Sequence, residues 1–134
     1  VGDEFAFLIR LHPQIHGNAR IDGAVDVTDF KSINDLTLIS DMLITDYSSV
    51  CMDFVLLDKP CVFFAPDLDE YASRRPFYFS YREYVPGEVA SDTPELIECI
   101  KKSAVCDKAE KFKFSNLNMV DGKSLERLFK KIFG

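Results

Sequence analysis

Hydrophobic residues in this chain fall into short runs of two kinds, and the two kinds take turns. Phe5–Leu11, "FAFLIRL", is an apolar run broken by Arg10, the signature of a buried strand. "HPQIHGN" follows as a loop with Pro13 and Gly17 as breakers. "AVDVTD" (Ala24–Asp29) alternates and predicts a short strand. "SINDLTLISD" sets Ile33, Leu36 and Ile39 on one helical face behind Ser32 as N-cap. "MLITD" predicts a third strand, and "SSVCMDFVLLD" a second helix that ends at Lys59-Pro60. "CVFFAP" predicts a fourth strand, apolar throughout.

Strands alternating with helices every ten to fifteen residues predict a doubly wound parallel sheet, an α/β/α arrangement of three layers. Such sheets bind ligands beyond the carboxyl ends of their strands. Those ends carry His12-Pro13, Thr28-Asp29, Thr45-Asp46-Tyr47-Ser48-Ser49 and Pro66-Asp67. Next comes "DLDEYASRRPFYFSYREYVPGEVAS", rich in aromatics and arginine, which reads as a long and therefore functional connection. "TPELIECIKKS" predicts a helix with Thr93 as N-cap, Pro94 at the first helical position and lysines late. "VDGKSLERLFKKIFG" predicts a closing amphipathic helix with Leu125, Leu128, Phe129, Ile132 and Phe133 turned inward.

Composition narrows this picture. At 134 residues one domain is expected, and 47% hydrophobic residues suffice for a core. A net charge of −6 argues against a general nucleic-acid or polybasic membrane surface. It leaves room for a local anion site built from backbone N–H groups. Cys51, Cys61, Cys99 and Cys106 form no CxxC pair, and with two histidines no zinc pattern emerges. Cys51 and Cys61 sit in apolar runs and read as small core residues in a reducing, cytosolic compartment. No stretch of these residues reads as a signal peptide, and none is an 18-residue apolar run. The chain runs into a strand without an initiator Met, so a piece of a longer protein is expected.

The stretch "LITDYSSVCMDF" (Leu43–Phe54) concentrates the chemistry. A helix start exposes about four N–H groups and carries roughly half a positive charge. Ser48 and Ser49 add hydroxyls there, and their small side chains let an anion reach the backbone. The alternative is plain N-capping by serine. Asp53, one turn on, is placed to accept from a ribose diol or to favour the helix dipole. Asp46 either shapes the loop or touches ligand. His12 is a candidate phosphate donor or base, with a structural role as the alternative; His16 carries less weight. Arg74, Arg75 and Arg82 offer fixed positive charge, either for phosphate or as surface residues.

Five motifs in order carry a resemblance: "RLHP", "LITDYSSVCMDFVLLDKPCVFF", "DLDEYASRRPFYF", "PGEVASDTPEL" and "DGKSLERL". Together they resemble the C-terminal part of the CDP-glycerol:poly(glycerophosphate) glycerophosphotransferases, the teichoic-acid primases and polymerases. The resemblance runs from about Arg10 to Leu128. It implies a Rossmann-like domain of a GT-B arrangement, the half that binds the nucleotide donor. The first strand and helix of that domain, and the whole acceptor-facing domain, are then expected outside this chain. By the resemblance, His12 is the histidine of the "HP" motif, and Ser48 and Ser49 face the donor pyrophosphate with Asp46 in the same loop. "TDYSSVCMD" is also similar to a turn of UDP-sugar epimerases, which puts Asp53 at the ribose. Asp121, Gly122, Ser124 and Arg127 match a second motif at a helix start. Pro76 stands where the family often has glycine, which removes an N–H from that loop.

The implied reaction is attack by an acceptor hydroxyl on a CDP-polyol, with CMP leaving. No metal or other cofactor bound by the protein is expected. The expected partners are a CDP-polyol donor and a lipid-linked or polymer acceptor, the latter through the absent domain. No nucleic acid is expected, and membrane contact is expected only through absent parts, at the cytoplasmic face of the plasma membrane. As an isolated piece the chain is expected to be inactive. Two other readings stand beside this one: a GT-B glycosyltransferase or epimerase-like domain using a UDP-sugar, and a non-catalytic nucleotide-binding or receiver-like module.

Overall fold

The computed structural model describes residues 5–12, 14–15, 21–102 and 104–134. Pro13, His16 and Gly17, singled out above, lie outside the described residues. The chain divides into two compact units, 1–40 and 41–134.

In the first unit, strand β1 (Phe7–Ile9) pairs in parallel with β2 (Ala24–Asp26), Phe7 opposite Ala24 and Ile9 opposite Asp26. Val27 N–H extends the ladder to the Ile9 carbonyl at 2.8 Å. Helix α1 (Ile33–Ile39) follows and buries Leu36 and Thr37. Ser32 caps it as expected, its Oγ accepting from Asp35 N–H at 3.1 Å.

In the second unit, β3 (Leu43–Thr45), β4 (Cys61–Phe64) and β5 (Glu88–Ala90) form a parallel sheet in that order. Helix α2 (Val50–Phe54) and a 3₁₀ turn at Val55–Leu57 connect the first two strands. Asp58 ends this connection in the left-handed conformation at φ 55°, and its carboxylate pairs with Lys113. The expected long connection after β4 instead holds α3 (Leu68–Arg74), α4 (Tyr81–Tyr84) and β5 (Glu88–Ala90). A three-residue strand has no room to show a period, so β5 left no pattern to find. Gly87 precedes it because a Cβ there would meet the Cys61 carbonyl oxygen at 2.1 Å. All strand pairings described are parallel, and the fold is α/β as the alternation predicts.

The core of this unit is built from Cys51, Phe54, Cys61, Phe63, Ala65, Tyr81 and Val85. Burial pushes the Cys51 and Cys61 thiols up, to about 11 and about 12, so both stay protonated core residues. All four cysteines are free thiols. Helix α5 (Thr93–Lys102) buries Ile100, and α6 (Asp107–Asn116) packs Ala109 and Phe112 on Val55. The cap of α5 is Asp92 rather than Thr93: its Oδ1 accepts from Glu95 N–H at 2.8 Å, while Glu95 accepts from Ser91 N–H at 2.7 Å. Helix α7 (Ser124–Phe133) forms as expected but buries no residue. Leu125, Leu128, Phe129, Ile132 and Phe133 are all exposed, because no described element covers the face that periodicity marks as inward.

Candidate functional site

The turn from β3 into α2 is held from below by its own sequence. Leu43 and Tyr47 pack on the core, and Cys51 and Phe54 anchor the first turns of the helix. This leaves Asp46, Ser48, Ser49 and Asp53 exposed at the surface.

Ser49 occupies the N-cap position, yet its side chain makes no capping bond. Ser48 Oγ accepts only a long contact from Val50 N–H, 3.4 Å. Among the described residues, no acceptor bonds the N–H groups of Tyr47, Ser48 or Ser49. Three successive free donors with two serine hydroxyls beside them are a ready cradle for an anion. The contrast with Ser32, whose hydroxyl does cap its helix, separates this turn from routine capping.

Two phenols reach this loop. Tyr81 Oη donates to the Asp46 carbonyl at 2.6 Å. Tyr47 Oη donates to Asp67 Oδ1 at 2.7 Å, tying the loop to the turn after β4. The Tyr47 ring stacks on Tyr71 at 3.7 Å and meets Tyr81 edge-on at 5.4 Å. Burial, then the bond to Asp67, raises the Tyr47 phenol above its ordinary range. Burial, then Cys51 nearby, does the same for Tyr81. Both phenols are therefore neutral donors. Sequence reasoning placed Tyr47 and Asp67 at strand ends without giving either a role, and it overlooked Tyr81, whose signal was the density of tyrosine and phenylalanine between Tyr71 and Tyr84.

The arginines separate by partner. Arg74 pairs with Glu70 one turn back. Arg82 is spent inside the fold, on the Val89 carbonyl and the Ser91 hydroxyl. Arg75 has no ionic partner among the described residues.

At the second helix start, Arg127 Nη1 donates to both oxygens of Asp121 at 2.8 Å. Its Nη2 reaches the Met119 carbonyl at 2.9 Å and Ser124 Oγ at 3.2 Å. Lys123 N–H also bonds Asp121 Oδ1, and this pair of donors, the guanidinium first, holds the Asp121 carboxyl below its usual range. Gly122 sits at φ +74° and makes the turn between them. These polar groups satisfy one another.

His12 belongs to the first unit. Its Nδ1 accepts from Gln14 N–H at 3.2 Å. A neutral ring so held carries its proton on Nε2 and offers a donor there. Among the described residues no three His, Cys, Asp or Glu side chains converge as a metal site.

Residues 1–134 match the sequence profile of the CDP-Glycerol:Poly(glycerophosphate) glycerophosphotransferases. The chain is 37% identical to the teichoic acid poly(ribitol-phosphate) polymerase of Bacillus spizizenii, over 97% of this chain and 22% of that protein. It is 35% identical to the teichoic acid glycerol-phosphate transferase of Staphylococcus aureus, over 98% of this chain and 36% of that one. The solved structure of the wall teichoic acid polymerase TagF superposes with a TM-score of 0.75 at 32% identity, covering 95% of this chain and 33% of TagF. The chain thus spans a third or less of most of these relatives, and its motifs, its parallel α/β fold and its full-length match agree: it belongs to the CDP-glycerol:poly(glycerophosphate) glycerophosphotransferase family.

Proposed function

We propose that this chain is the donor-binding domain of a CDP-polyol phosphotransferase that builds a teichoic-acid-like or capsular poly(polyol phosphate). The observation that carries this reading is the run of free N–H groups at Tyr47, Ser48 and Ser49, with both serine hydroxyls exposed beside it. A TagF variant has been soaked with CDPG, and that structure matches this chain with a TM-score of 0.74 at 32% identity. The same kind of donor is the natural ligand to assign here.

In this reading the pyrophosphate of the donor lies on the Tyr47–Ser49 turn. Asp53 accepts from the ribose hydroxyls, and Arg75 adds a charge that no carboxylate among the described residues neutralises. Asp46 shapes the turn through its carbonyl, bonded by Tyr81. An acceptor hydroxyl oxygen bonds the distal phosphorus and releases its proton to water, the bridging P–O bond breaks, and its electron pair leaves on CMP. Negative charge grows on phosphate oxygens, where fixed N–H and hydroxyl donors stabilise it without reorganising. His12, in the other unit, is assigned on the family motif alone, as a phosphate ligand or a base, and Nε2 is the ring nitrogen that Gln14 does not bond. Arg74, Asp121, Gly122, Ser124 and Arg127 contribute after their internal bonds rearrange, or hold the fold around the donor. The acceptor and any contact with the membrane belong to the rest of the protein. No helix among the described residues is long and apolar enough to cross a membrane.

An NMR titration of the protein with CDP-glycerol, CDP and UDP tests this. Shifts at Ser48, Ser49, Asp53 and His12, stronger for cytidine, are expected. Equal shifts with UDP reassign the domain to sugar nucleotides, and no response at millimolar ligand overturns the donor reading.

A further inference from the structure

The Asp46–Tyr47 peptide is gripped on both sides. Its carbonyl accepts from Tyr81 Oη at 2.6 Å, and Tyr81 is itself buried. The Tyr47 side chain that follows is fixed by the stack on Tyr71 and by its bond to Asp67. Phe77 closes the group, 5.0 Å from Tyr81 and 5.6 Å from Tyr71. A trans peptide is planar, with its C=O and N–H pointing in opposite directions. Aiming the Asp46 carbonyl at Tyr81 therefore aims the Tyr47 N–H away from Tyr81. That N–H is the first of the three free donors.

We propose that Tyr81 is a positioning residue for the donor phosphate: its hydroxyl sets the Asp46–Tyr47 peptide plane, and so the direction of the N–H groups that receive the pyrophosphate. This rests on the assignment of the Tyr47–Ser49 turn as the phosphate site. Tyr81 touches no reacting atom. It acts by removing an alternative: with the Asp46 carbonyl unbonded, the peptide is free to rotate and present an oxygen to the phosphate, where it would repel. Preorganised donors bind anions better because the rotation has already been made.

Tyr81→Phe removes the hydroxyl and keeps the ring in its aromatic group. Tyr84→Phe is the matched control, since Tyr84 Oη donates at 2.6 Å to Asn116 Oδ1, remote in sequence from the turn. Binding of CDP-glycerol is measured by calorimetry on both variants and the parent protein, with amide spectra of Tyr47–Ser49 and denaturation curves alongside. We expect Tyr81→Phe to weaken binding about five-fold, the size of one ordinary hydrogen bond. The amides of Tyr47 and Ser48 should shift even without ligand, while Tyr84→Phe binds like the parent at similar lost stability. Parent-like affinity in Tyr81→Phe overturns the proposal, as does an equal loss in Tyr84→Phe, which would mark both effects as general loosening. A parent protein that binds no CDP-glycerol overturns the phosphate site itself, and the positioning role with it.

Discussion

Two helix starts in this chain carry serines in family motifs, and they are built in opposite ways. The start of α2 stands on the core: Cys51 and Phe54 are buried within the helix, and the Tyr47, Ser48 and Ser49 N–H groups above them have no acceptor among the described residues. The start of α7 stands on nothing, since no residue of that helix is buried, and its polar groups close on themselves through Arg127 and Asp121. A packed base frees the surface groups from any structural duty. An unpacked helix spends its polar groups on holding its own turn.

The largest effect should separate the two bases. Phe54→Ala empties a fully buried position and should lower stability by about 3–5 kcal/mol. Phe129→Ala, in this 134-residue chain, removes a ring that is 64% exposed and should change it by no more than about 0.5 kcal/mol. Chemical denaturation compares them. Similar losses would mean that α7 is packed in solution and that the contrast is wrong.

A smaller effect should separate the two sets of serines. Ser49→Ala removes a hydroxyl with no capping bond, so stability should move by less than about 0.5 kcal/mol. Affinity for CDP-glycerol should drop about tenfold, the weight of a hydrogen bond to a charged group. Ser124→Ala, whose Oγ already accepts from Arg127, should cost roughly two- to threefold in affinity. Ser32→Ala calibrates the scale: that hydroxyl does cap a helix, and its loss should lower stability by about 1 kcal/mol with affinity unchanged. Denaturation and calorimetry on the three variants read both axes. A Ser49→Ala protein that loses stability like Ser32→Ala and binds normally would return α2 to ordinary capping.

The sequence made the strands and the α2 start legible because their signals are local. A continuous apolar run such as "CVFFAP" has one physical use, and a serine pair between a strand and a helix has two. What fixes the shape of this loop lies far along the chain. Tyr81, 35 positions from Asp46, holds the loop's carbonyl, and Asp67, 20 positions from Tyr47, holds its side chain. Periodicity cannot register such bonds. The same limit explains α7: amphipathicity reports that a face needs covering, and it says nothing of what covers it. Thr93 reads as the cap from its residue type, but Asp92 serves equally well, and only the bond from Glu95 N–H decides. For Arg82 and Arg127, composition registers a positive charge but cannot show that a carbonyl or a carboxylate already holds it.

The smallest expected effect probes the clasp at α7. Its guanidinium and backbone donors depress the Asp121 carboxyl below the ordinary value of 3.8. A depressed carboxyl adds stability above its unfolded pKa and loses it as pH falls through the folded one. Neutral pH is therefore uninformative, and the change belongs below about pH 4. An acid titration followed by the amide resonances of Lys123–Arg127 should show a midpoint under 3.8 that returns to the ordinary range in Arg127→Gln. Because both groups face solvent, raised salt should weaken the shift. A midpoint at the ordinary value in the parent protein would mean that the clasp is open in solution. Arg127 would then be a free cation beside Ser124, and the second helix start would resemble the first, as a place that can receive phosphate without breaking a bond.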